Sequence, residues 1–192
     1  MSAVSRRAVA RGAVWSLPVV AVGAAAPAFA ASRPCPTIPP GSDWNTRITA
    51  GRPSSIGGGY GWGGSTFSVF RDATTSGGFT LTSSTTISGL IPGQTYTMEV
   101  AIGWNYGNSS ASSSTAAGAR IRVDGTEVFS GQTRTADLGG TPGTRTYTVT
   151  FTARGETASL DLEIYVLART FGRSASDDVY INMPTFTNCI PR

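Results

Sequence analysis

Histidine and lysine are both absent from this sequence: there is no His, and all 15 basic residues are arginine. Without an imidazole no Ser-His-acid or Cys-His relay can be assembled. Without a lysine there is no amine to form a Schiff base. Cysteine is almost absent too, with only Cys35 and Cys189, and charged residues make up just 14% of the chain. What remains for catalysis is a glycosidase-type carboxylate pair, drawn from Glu99, Asp161 and Glu163. Strand parity turns all three outward, where acids ordinarily solubilise a sheet and discourage edge pairing. A metal centre has no imidazole to use, and Asp177-Asp178 is the one adjacent acidic pair. The expectation is a protein with no catalytic residues, no metal site and no cofactor.

No apolar run reaches membrane-spanning length either. The longest, Ala13 to Ala26, has about 14 residues and contains Pro18, whereas a helix needs about 20 to cross a bilayer. It follows a basic head of Arg6, Arg7 and Arg11 and ends at Ala28-Phe29-Ala30. Basic head, short apolar run and small-residue site are the three parts of a secretory signal, with cleavage expected after Ala30. Ser5-Arg6-Arg7 is similar to a twin-arginine export signal, although Val9-Ala10 replaces the usual bulky apolar pair. Twin-arginine and general secretory export both stay open. The expected location is secreted or extracellular, at most loosely associated with the cell surface, with no permanent membrane span.

Loss of the signal alters the charge balance. Three of the arginines behind the formal +4 lie in it, leaving the mature chain near +1. The remaining arginines form no stripe that would neutralise phosphates, so nucleic acid is not an expected partner. In an oxidising compartment Cys35 and Cys189 read as a disulfide joining the two ends of the mature domain.

The mature chain is long enough for one domain with a sizeable core. Residues 31–43, with Pro34, Pro36, Pro39 and Pro40, read as a proline-rich leader, and 44–192 as the folded domain. Period-two alternation recurs through it. Tyr96, Met98, Val100 and Ile102 share one face, as do Tyr147, Val149 and Phe151, and Leu160, Leu162, Ile164 and Val166. Asp124-Gly125 signals a tight hairpin between residues 119–124 and 127–130. Further strands are expected at 44–50, 67–71, 78–88 and 179–187. The fold class is all-β: a two-sheet antiparallel sandwich of the jelly-roll kind, with eight or nine strands.

The order of segments resembles jelly-roll carbohydrate-binding modules and their galactose-binding-like relatives. The residues that carry the resemblance run from Gly89-Leu90-Ile91-Pro92-Gly93-Gln94-Thr95-Tyr96, through Ala119 to Gly125, Arg145 to Ala153 and Ala158 to Leu167, to Ser176-Asp177-Asp178-Val179-Tyr180-Ile181-Asn182. They span roughly residues 65–188. In those families the final strand often ends in aspartate; Asn182 stands there in this chain, so the resemblance lends no support to a structural calcium. What it implies is a secreted module that binds a carbohydrate or cell-surface glycan.

Two stretches combine aromatics with glycine, Gly57 to Gly64 and Gly103 to Ser109. Sugars offer flat C–H faces rimmed by hydroxyls, which suit an aromatic ring flanked by amides. Tyr60, Trp62, Trp104, Asn105, Tyr106 and Asn108 are therefore the candidate ligand-binding residues. The competing reading is that Trp104 caps the core, being in phase with Tyr96 to Ile102, and that Tyr60 and Trp62 anchor a loop. A structural or adhesive surface protein with protein partners is the alternative function, and glycosidase the remote one. The oligomeric state is not legible.

Overall fold

The computed structural model describes residues 34–107, 110, 112–135, 137–138 and 140–189. The expected signal segment, the start of the leader and Asn108 lie outside the described residues. Residues Cys35–Asn188 form one body.

The chain enters through a single 3-10 turn, Gly41–Asp43. Strands then follow as β1 (Asn45–Gly51), β2 (Pro53–Gly63), β3 (Thr66–Ala73), β4 (Phe79–Ser88), β5 (Thr95–Asn105) and β6 (Ser114–Thr115). The second half supplies β7 (Ala117–Val123), β8 (Thr126–Gln132), β9 (Gly143–Thr152), β10 (Thr157–Val166), β11 (Ala175–Ser176), β12 (Asp178–Asn182) and β13 (Thr185–Thr187). One antiparallel sheet has the order β1-β4-β10-β7-β8. In the other, β5 pairs with β9, β12 and β13, and β12 continues to β3 and β2. The architecture is the expected two-sheet antiparallel sandwich.

The alternation of the sequence becomes the interior. Leu81, Ile121, Leu162 and Ile164 from the first sheet are fully buried with Phe67, Met98, Ile102 and Ile181 from the second. Burying a side chain of this size stabilises by about 1.5–3 kcal/mol. Ser83 also lies inside, accepting from Trp62 Nε1 at 2.7 Å and bonding Thr46 Oγ1 at 2.8 Å, which removes the cost of a lone buried hydroxyl. The Asp124-Gly125 turn is tight, with φ of 48° and 73° as a type I′ hairpin requires. Asp124 Oδ1 accepts from Ser159 N at 2.9 Å and ties that turn to β10.

The structure has more strands than the expected eight or nine, for two main physical reasons. The glycine-rich run, which lay outside the expected strands, falls largely within the eleven-residue β2 at the edge of the second sheet, paired to β3 through two register shifts. The expected strand over 179–187 is split in two at Met183-Pro184, where proline has no N–H for the ladder. Glu163 keeps its outward parity, opposite Thr82 and Arg120, yet it is not a freely solvated acid. Its carboxylate is covered by Arg122, which bonds Oε1, and by Arg120 Nη1 at 3.9 Å from Oε2. Both cysteines are disulfide-bonded, as expected for Cys35 and Cys189.

Candidate functional site

The six residues singled out by composition go to different places. Trp62 points inward from β2, with its ring 4.9 Å from Trp44 and 5.6 Å from Phe67. It lies so close over Gly41 that a β-carbon there would sit 2.4 Å from the indole. Trp104 is buried at the end of β5, with its indole N–H unpaired and the Arg145 guanidinium 5.7 Å from the ring. Tyr106 is buried as well. Its hydroxyl donates to the Gly140 carbonyl and its ring lies under Arg134 at 4.8 Å. Tyr60 and Asn105 are exposed. The three rings Trp62, Trp104 and Tyr106 thus share no exposed ledge.

The two stretches nevertheless meet, through their glycines. Gly57 and Gly58 of β2 and Gly107, just past β5, line one cleft of about 350 Å³. Its remaining wall is Ile56 of β2, Phe70 and Asp72 of β3, residues 174–176 and Asp178 of β12. The register explains the grouping. Asp178 stands opposite Asn105, and Val179 opposite Val69, so carrying that ladder one residue further sets Phe70 beside Asp178. Residues directly opposite on neighbouring strands share a face, which makes Asn105, Asp178 and Phe70 one outward-facing row. Gly58 closes it, since a β-carbon there would approach Phe70 Cβ to 2.8 Å. Phe70 is 42% exposed, an open ring on a sheet surface.

The acids divide their roles. Asp177 is buried and fully engaged: Arg134 grips both its oxygens at 2.9 and 3.0 Å, and Thr133 Oγ1 donates at 2.6 Å. Arg134 holds this grip from a backbone φ of 103°, a costly conformation for a residue with a side chain. Asp72, also buried, accepts from Ser176 N at 3.0 Å and lies 3.7 Å from Arg169. Asp178 is different. Its carboxyl makes no hydrogen bond or ion pair among the described residues. Burial, with Asp72 and then Asp177 nearby, pushes its pKa up to about 6. No group of three metal-ligating side chains occurs among the described residues.

The cleft therefore offers an unpaired carboxyl, an exposed phenyl ring, the exposed Ile56 side chain and the backbone of Gly57, Gly58 and Gly107, with the Asn105 amide in the same row of the sheet outside its lining. Its acids disfavour phosphates and other anions. The arrangement suits a neutral, polyhydroxylated ligand, with a C–H face against Phe70 and hydroxyls donating to Asp178. Phe70 and Asp178 were not legible as a pair, because long-range register alone makes them neighbours.

No family model matches this chain, and no curated protein does. Several solved structures resemble it, two of them sugar- or carbohydrate-binding proteins. One is the C-terminal domain of EclA, a sugar-binding protein, at 21% identity over 54% of this chain and 64% of that one, TM-score 0.39. The other, described for the promiscuous specificity of carbohydrate-binding modules from the β-sandwich superfamily, has 15% identity over 75% of this chain and 56% of that one, TM-score 0.37. This chain spans less than two thirds of either. Likeness at this level assigns no ligand and no residue role.

Proposed function

We propose that this chain is an exported, non-catalytic domain that binds a neutral carbohydrate in the cleft between β2 and residues 174–178. The observation behind it is the unpaired Asp178 carboxyl set beside the exposed Phe70 ring, in a cleft that Ile56, Gly57 and Gly58 also line. An unpaired, half-buried acceptor with a raised pKa in a cleft is a feature of ligand sites. Hydrolysis would need a second carboxylate free to act across the scissile bond. Asp72 and Asp177 are both committed to other donors, so the cleft is read as a binding site. Affinity electrophoresis against a panel of soluble polysaccharides tests the reading. Retardation by at least one glycan, abolished by Phe70→Ala and by Asp178→Asn, supports it. Retardation unaffected by either substitution refutes it.

A further inference from the structure

The long edge strands of the two sheets, among the described residues, are not alike. β1 is shifted in register against β4 between Ile48 and Ala50, β8 against β7 beside Ile121 and Arg122, and β2 against β3 at two places. Such irregularities are how sheets keep other chains from adding to their edges. β9 has none. It pairs with β5 through ten consecutive residues, from Thr152 opposite Thr95 to Gly143 opposite Trp104. It contains no proline and one charge, Arg145. Among the described residues its other edge pairs with no strand. The antiparallel ladder directs every second N–H and C=O of β9 away from β5, toward that open side.

We propose that β9 is the pairing edge for a second copy of this chain, β9 against β9, antiparallel about a two-fold axis at Thr148. The sequence of the strand is self-complementary in that arrangement. Thr146 meets Thr150, Thr144 meets Thr152, and Thr148 meets its own copy, all on the exposed face. Threonine–threonine pairs are favourable across strands. On the inner face Tyr147 meets Val149, and each Arg145 meets Phe151, so no like charges are opposed. The same side of the sandwich carries an apolar seam, with half-buried Val128, Phe129 and Tyr147 beside an open cleft of about 320 Å³ lined by Val123 and Phe151. A second copy brings its own seam against this one. Growth stops at two, because the opposite edge of that sheet is the bulged β2.

The test is sedimentation velocity on the full chain across a concentration series, for wild type, Thr148→Lys and Thr86→Lys. Thr86 is an exposed control on β4, remote from the edge. The expected result is a concentration-dependent dimer for wild type and Thr86→Lys, and a monomer of unchanged melting temperature for Thr148→Lys. Thr148→Cys supplies a second readout, expected to cross-link into a covalent dimer on mild oxidation while Thr86→Cys does not. A wild type that is monomeric throughout, or a Thr148→Lys chain that still dimerises, overturns the proposal.

Discussion

The ring of Tyr180 lies flat across Gly103: a β-carbon on that glycine would fall 2.0 Å from the tyrosine Cζ. The hydroxyl continues over the sheet to Thr144 Oγ1 at 2.6 Å. Gly118 and Tyr165 repeat the arrangement on the other sheet, at 2.3 Å, with the Arg120 guanidinium 4.6 Å above the ring. Each outer face thus carries a tyrosine seated in a glycine gap. Gly103→Ala and Gly118→Ala are each expected to displace the ring and destabilise the domain by about 1–3 kcal/mol, measured by denaturant unfolding.

Asp178 makes stability depend on pH in an unusual direction. In the folded chain its carboxyl keeps a proton up to about pH 6, whereas unfolded it titrates near 3.8. Stability from this group is therefore greatest below the ordinary value and falls as pH rises from there to about 6. Allowing for solvent screening of a partly exposed group, the loss is on the order of 1 kcal/mol. Asp178→Asn is expected to raise the melting temperature above pH 6 and to leave it unchanged well below the ordinary carboxyl range. Ligand affinity should rise as pH passes through about 6, where the folded carboxyl ionises, since the carboxylate is the better acceptor.

How much of this was legible in the sequence depends on what each residue's neighbours do. The alternation in β5, β9 and β10 shows plainly because one face of each strand is buried and the other is not. Trp104 follows from the same parity and is buried accordingly. β2 left no such pattern, because Gly57-Gly58-Gly59 has no side chains to alternate; only pairing with β3 makes it a strand. Tyr106 and Trp62 look alike by composition to exposed stacking residues, and their burial depends on Gly140, Gly41 and Trp44 brought in from elsewhere. The row of Asn105, Asp178 and Phe70 belongs to three strands, and register sets it.

Asp177 and Arg134 form a buried, two-pronged ion pair that holds the chain after β8 against the start of β12. Asp177→Ala leaves the guanidinium half-buried without its partner. It is expected to cost about 3–5 kcal/mol, far more than removal of an exposed acid such as Glu99. Thermal denaturation of the two variants side by side checks the difference.

Trp62 separates structural aromatics from ligand-binding ones. Trp62→Ala removes the packing on Trp44 and Phe67 and the bond to Ser83, and is expected to destabilise by about 3–5 kcal/mol. Below its lowered melting temperature the variant should still be retarded by the same glycans as wild type. Phe70→Ala should show the reverse, with near-normal stability and no retardation.

The most direct measurement is a saccharide titration followed by backbone amide NMR shifts. Binding in the cleft predicts that the shifts cluster at Gly57, Gly58, Phe70, Asn105, Gly107 and Asp178, and are absent from Trp62 and from the outer face of the five-stranded sheet. Shifts centred on Trp62, or on Tyr165 and Arg120, would contradict it.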